Sequence, residues 1–498
     1  MPSHESYNVR LHILSPIHIG SGQELDPFSY VIRDNKLLII DMAKWIENYS
    51  DKETLYQKMD SEDYIDLRNY IAKNFNDNNA VLSTIDVKSS EVIRTYKKAV
   101  YDKTSSNQAL INFMTRNEIT KTPYIPGSSI KGAIRTAIAN IFVISANIKS
   151  GDSYKSGYDK KIFGNPTVDP MKNLKISDVS LDKFGSVIFE AREHSSKENK
   201  TPKGSYEAAV SLCQTNLSVV YPLKLSLNPF VLHGKTIDAK FLLDSLHRFY
   251  MPKFIKEYEK FYKDESYKDI RQAIAPLNME AVRLKTNEAF VRIGHFSHVE
   301  CVTLDNIRSP KTRMKDGKPL PWGKTRTLAN GIYPFGWVKL EFVNLKSKPR
   351  PQIDWPFSLQ EIENIIQAKK ESIIKANKAA EVAALEAREA EEKRLAEEKR
   401  KAALEAMSPE ERDIATVNDP EITENQVVEI YNRIDDFSEN NKTKLALALK
   451  AYWEVLGKWK KAKGKKTKGI LKQIDRVEKV KSILGEKQSR SLATKKEQ

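Results

Sequence analysis

The stretch YIPGSSIKGAIRTAIAN, residues 124–140, sets proline, glycine and two serines in front of a helix whose first exposed positions are basic. Ile130, Ala133, Ile134, Ala137, Ile138 and Ile141 recur at helical spacing and predict one apolar face able to pack on a sheet. Lys131 and Arg135, four apart, share another face, and Ser128 or Ser129 is the expected N-cap. Cations in a first helical turn oppose the macrodipole by roughly a few tenths of a kcal/mol each. An anion reverses that sign. A phosphate at the helix start can accept the free N–H groups, the serine hydroxyls and the lysine ammonium together, and Gly127 would let the backbone approach it closely. The competing reading is an ordinary helix start with solvated cations. GSSIKG also opens like a nucleotide-binding P-loop, but Ala133 and Ile134 stand where that motif requires Lys and then Ser or Thr, which argues against ATP hydrolysis.

Outward from this helix, YNVRLHI predicts a first strand that breaks at Pro16 into a loop containing Gly20 and Gly22. YVIRDNKLLIID predicts two strands around an Asp34-Asn35 turn, followed by helices over about residues 41–77. ALINFMT, LSVVYPLKLSL and GWVKLEFVNL predict strands, and AKFLLDSLHRFYMPKFIKEYEKFY a helix. Short strands mixed irregularly with helices argue for an α+β class with an antiparallel sheet. After KPRPQIDWPF the chain turns almost wholly to Ala, Glu, Lys, Arg and Leu until about residue 406, which predicts a long helix. Leu385, Leu395 and Leu404 are too far apart for a heptad seam, which favours a solvated spacer over a coiled coil. SPEE at Ser408 starts a small helical bundle, in which Tyr431, Tyr452, Trp453 and Trp459 are expected core. The expected domains are residues 1–350, a helical linker over 358–406 and a basic helical domain over 407–498.

At 498 residues the chain exceeds one ordinary core. The net charge of +16 favours an anionic partner, nucleic acid before membrane. From Gly457 to Gln498 fifteen Lys and Arg face four Asp and Glu, so that tail carries +11 of the total and the rest is nearly balanced. It reads either as a sequence-independent contact or as a solubilising end. Two cysteines, Cys213 and Cys301, exclude a disulfide framework and a four-cysteine zinc site. No signal-peptide pattern or membrane span stands out, so a cytoplasmic location is expected.

PYIPGSSIKGAIRTA, together with LSPIHIGSG, IFGNPTVDPMKNLKISDVSL, FVRIGHFS and PFGWVKL, resembles the RAMP superfamily of CRISPR proteins over roughly residues 5–345. Within it, the order and spacing of these stretches are most similar to the Csm-five subunit family of type III-A effector complexes. The resemblance implies an RRM-like, ferredoxin-type core with helical insertions that holds CRISPR RNA (crRNA). It implies a non-catalytic subunit that caps the backbone at the crRNA 3′ end and assists maturation in antiviral defence. The implied partners are crRNA, other Csm-complex subunits and maturation nucleases, with no cofactor or metal. By position in the motif, Gly127, Ser128, Ser129, Lys131 and Arg135 would contact RNA. The alternative is a RAMP endoribonuclease that processes precursor crRNA.

KTRTLANGIYPFG adds Lys324, Arg326, Gly331 and Gly336 as candidate RNA-binding residues, with Tyr333 and Phe335 as stacking candidates or structural aromatics. Arg292 and Gly294 fit the family's loop as RNA or subunit contacts. His295, His298 and Cys301 lack a fourth ligand for zinc. His12 and His18 are weighed as general acid–base residues against a structural role, and the latter is favoured because neither has a visible partner in sequence. Asp26 is assigned no role.

Overall fold

The computed structural model describes residues 5–102, 104–105, 108–149, 157–182, 185–195, 201–307, 314–315, 318–319, 323–460 and 468–486. Much of the basic tail, residues 461–467 and 487–498, lies outside them. The chain divides into two compact units, Met1–Ile373 and Ile374–Gln498.

The first unit is built on a five-stranded antiparallel sheet. Its elements in chain order are β1 (Glu5–Ile13), α1 (Gly127–Ile141), β2 (Leu174–Ile176), β3 (Val220–Leu227), α2 (Ala239–Phe261), α3 (Lys268–Val282), β4 (Glu288–Arg292) and β5 (Trp337–Phe342). The strand order is β4-β5-β1-β3-β2. Leaving aside the added edge strand β4, β3 lies between β1 and β2, and β1 lies between β3 and β5, which is the split β-α-β order of a ferredoxin-type core. The pleat decides what each face does. Val9, Leu11 and Ile13 of β1 and Leu223, Leu225 and Leu227 of β3 point inward and are buried with Ile130, Ile134, Ala137 and Ile138 of α1. Opposite them on the other face, Asn8 pairs with Lys224 and Arg10 with Pro222, and all four are exposed. The apolar periodicity of the quoted stretch therefore seats α1 on this sheet.

A second, nine-stranded mixed sheet collects Gly20–Leu25, Ile111–Met114, Thr201–Ala209, Ser186–Ser195, Val81–Val87 and the hairpin Tyr30–Arg33/Lys36–Ile40, with Thr325–Ala329 and Tyr333–Pro334 attached. At the hairpin turn Asp34 and Asn35 both have positive φ, 48° and 57°, the backbone that a two-residue turn needs and that Asn and Asp tolerate. Gly20 and Gly22 lie in a strand and not in the expected loop. Helices Met42–Asn48, Lys52–Asp60, Tyr64–Asn74 and Ser90–Tyr101 close a separate core around Trp45, Ile71, Phe75 and Tyr96.

The long helix runs Leu359–Ala406. Ile362 packs with Ala275 and Met279 of the first unit, and beyond residue 374 every side chain described in the helix is exposed. In the second unit Ser408 and Glu411 form a capping box with Pro409 in the first turn. Trp453, Trp459 and Tyr431 are buried with Val427, Leu445, Leu449 and Val480, and Tyr452 packs against them. No helix of the described residues is long and apolar enough to cross a membrane.

Candidate nucleic-acid interface

The N-terminus of α1 differs from the expected capping. Pro126 is the N-cap and no serine side chain closes the turn; Ser129 N–H donates to the Pro126 carbonyl at 3.0 Å. Gly127 N–H donates to Asp178 Oδ1 at 2.8 Å, so one backbone donor of the helix start already meets a carboxylate. Gly127 is buried, and a β-carbon there would stand 2.3 Å from the Ile176 carbonyl oxygen and 2.7 Å from that of Ser177. The glycine thus admits the end of β2. Ser128 is exposed and Ser129 half-buried.

The two cations of the motif part company. Arg135 bonds Asp159 through Nε at 2.9 Å and Nη2 at 2.6 Å, and Asp169 through Nη1 at 2.7 Å. Its guanidinium lies 3.9 Å from the centroid of the Phe163 ring. Two carboxylates outweigh one guanidinium, so this corner is not the free positive face that the spacing predicts. Lys131 makes no ion pair with a described residue. Burial and the nearby Arg135 and Lys175 depress its pKa against the pull of Asp169, which makes an added anion favourable beside it.

Arg292, expected as an RNA or subunit contact, and Arg326, a candidate RNA-binding residue, are interior, at 2% and 6% exposure. Arg292 donates to the Phe335 carbonyl at 2.9 Å and to Glu257. Arg326 donates to Glu257 at 2.9 Å, to Glu300 at 3.2 Å and to the Thr325 carbonyl. Burial opposes the Glu257 charge, yet the two guanidinium groups hold its pKa down at about 2. Most of the later loop is also interior. Phe335 is core and Tyr333 half-buried. Gly331 is buried in a turn at φ 70°. Gly336, at φ 90°, donates to the Pro16 carbonyl at 2.8 Å and accepts from Ile293 N–H at 2.9 Å. Lys324 alone of this group is exposed.

His12 and His18 do have partners. His12 Nε2 lies 2.7 Å from Glu341 of β5. His18 Nδ1 lies 2.6 Å from the Glu207 carbonyl, and burial pushes its pKa down to about 4, so the ring is neutral near pH 7. Among the described residues no three His, Cys, Asp or Glu side chains gather as a metal site.

Three segments distant in sequence meet in a cleft of about 370 Å³. Ile19 and Gly20 come from the first glycine segment, Ser129, Gly132 and Thr136 from α1, and Gly294, His295 and Ser297 from RIGHFS. Gly294, at φ 93°, is what allows the approach: a β-carbon there would lie 2.5 Å from the His18 carbonyl, and His295 N–H donates to that carbonyl at 2.9 Å. Sequence reasoning named pieces of this cleft but not Gly132, His295 or Ser297 as its lining. It also missed the acids that occupy Arg135, because Asp159 and Asp169 lie 24 and 34 residues away with no local signal.

A model of the RAMP superfamily matches residues 10–298, more than half of the chain and all three segments of the cleft. The chain belongs to this superfamily. It is similar to a CRISPR system Cms protein Csm5 of Methanocaldococcus jannaschii, 32% identical over 197 residues, 36% of this chain and 44% of that protein. It is also similar to a protein of the same name from Streptococcus thermophilus, 26% identical over 142 residues, 28% of this chain and 39% of that one. The chain therefore spans less than half the length of these curated relatives. Among solved structures, a chain of a Csm–crRNA–target RNA ternary complex of a type III-A CRISPR-Cas system aligns at TM-score 0.47 and 20% identity, covering 68% of this chain and 100% of that one. T. onnurineus Csm5 aligns at TM-score 0.44 and 19% identity, covering 66% and 99%.

Proposed function

We propose that this RAMP protein is a non-catalytic, RNA-holding subunit of a type III-A CRISPR ribonucleoprotein, with crRNA and other Csm subunits as partners. The reading extends to a place at the crRNA 3′ end and a part in maturation alongside separate nucleases. The observation that carries it is the convergence of three glycine-bearing segments on one cleft at the start of α1. Small residues there leave the backbone open to a strand and Ser129 lines the cleft, while Ser128 and Lys131, which has no ion pair with a described residue, are its neighbours along the start of α1. Lys324 is the exposed cation of the later loop and a second contact. Arg135, Arg292 and Arg326 support the shape of the site and not its charge.

The test is RNA binding across a salt series with Lys131→Ala. The expected result is weaker binding and a salt slope smaller by about 0.7, the loss of one phosphate contact on a single strand, with the melting temperature unchanged. Unchanged affinity and slope would return the turn to an ordinary helix start. Co-purification with tagged protein should yield a short RNA with repeat-derived ends. The endoribonuclease alternative is separated by incubation with labelled repeat RNA: metal-independent cutting that His12→Ala or His18→Ala abolishes would replace the proposal.

A further inference from the structure

The second unit lies outside the family match, which ends at residue 298. Its last described helix, Lys468–Ile483, buries Val477 and Val480 in the bundle. Along another face Lys468, Lys472, Arg476 and Lys479 recur at intervals of four, four and three residues, with Asp475 the acid among them. Helical rise sets neighbours in such a row about 6 Å apart, roughly one cation for every two phosphates at about 3.4 Å per nucleotide of a strand.

Three acids of this unit pair away from the row: Glu486 with Lys450 at 2.6 Å, Glu424 with Lys458 and Asp413 with Arg433 at 2.9 Å. Asp435 pairs with Lys479 and takes up the charge at that end of the row. Lys468 and Lys472 are exposed and have no ion pair among the described residues. Arg476 and Lys479 stand 5.9 and 5.8 Å from the Tyr431 ring centroid, which anchors that end of the row on the bundle. The aromatic side chains nearby, Tyr431, Trp453 and Trp459, are buried and present no stacking surface for bases. Cations without exposed rings fit a sugar–phosphate backbone and leave the bases unread.

We infer that the Lys468–Lys479 helix face is a second nucleic-acid contact, independent of the cleft on the first unit, which binds the phosphate backbone of an RNA strand without regard to sequence. The test uses the full chain with Lys468→Ala and Lys472→Ala together. The charge-matched control is Lys393→Ala with Lys399→Ala, both exposed on the long helix. Fluorescence titration with a labelled single-stranded RNA of unrelated sequence is run from low to high salt, with duplex RNA in a parallel arm. The expected result is a salt slope smaller by about 1.4 and roughly tenfold or greater loss of affinity at low salt, with the control unchanged and the effect additive with Lys131→Ala. Equal losses in variant and control would assign the effect to net charge alone and overturn the inference. So would unchanged RNA binding, including the case where binding to vesicles of anionic lipid falls instead. Circular dichroism of the variant excludes unfolding, since neither lysine contributes to the bundle core.

Discussion

Lys131 and Arg135 stand one turn apart on α1 and differ in what surrounds them. Arg135 is shared between Asp159 and Asp169, so its charge organises the loop beyond α1, while Lys131 feels Asp169 without forming an ion pair with a described residue. Histidines show the same dependence on surroundings. His18, His247 and His298 are depressed by burial to about 4, 4 and 3. Above pH 6.5 these rings are neutral in both folded and unfolded chains and stability does not depend on them. As pH falls through 6.5 toward 4 the unfolded chain takes up protons that the folded chain refuses, and stability falls. For His18 alone the loss by pH 4 is roughly 3 kcal/mol. The unfolding midpoint is expected to drop over that window, and His18→Asn, which keeps a donor for the Glu207 carbonyl, should make the decline shallower. A midpoint flat between pH 6.5 and 4 would contradict this.

At the scale of elements, α1 is held by its own periodicity on one side and by β2 at its tip. Gly127 is the point where strand end and helix start touch. Gly127→Ala should destabilise the first unit by about 2 kcal/mol or more, the usual range for overpacking against backbone that cannot move, and should loosen the rim of the cleft. Gly132→Ala is the comparison, since a β-carbon there meets nothing within 4 Å and alanine raises helix propensity. Denaturant melts of the two variants should move in opposite directions. These elements were legible where local pattern decides them: the first strand, the Asp34-Asn35 hairpin, α1, α2, the long helix and the Ser408 capping box all follow from period, turn chemistry or composition. The cap of α1 was not, because Asp178, which reaches Gly127 N–H, lies 51 residues further on. Nor was the strand role of Gly20–Leu25, which comes from pairing with Ile111–Met114 across the chain.

At the scale of the whole molecule, Glu257 of α2 joins the two sheets of the first unit. Its carboxylate takes Arg292 from β4 of the first sheet and Arg326 from a strand of the second. Removing it leaves the buried Arg292 without a described counter-charge and Arg326 with Glu300 alone, so Glu257→Ala should cost about 3–5 kcal/mol. Thermal melting and limited proteolysis of the full chain should show the first unit opening while the helical bundle keeps its protection; an unchanged melt would mean that the sheets hold without this tie. The sequence by itself determined the periodicities of the main helices and strands and the concentration of charge in the tail, while the ferredoxin-type order was implied by the family resemblance alone. Only the tertiary structure decided which cations are available, pairing Arg135, Arg292 and Arg326 with acids and leaving Lys131, Lys324, Lys468 and Lys472 with no ion pair among the described residues. Periodicity is a property of neighbours along the chain, whereas Coulomb attraction and burial act between groups that folding brings together from tens of residues apart.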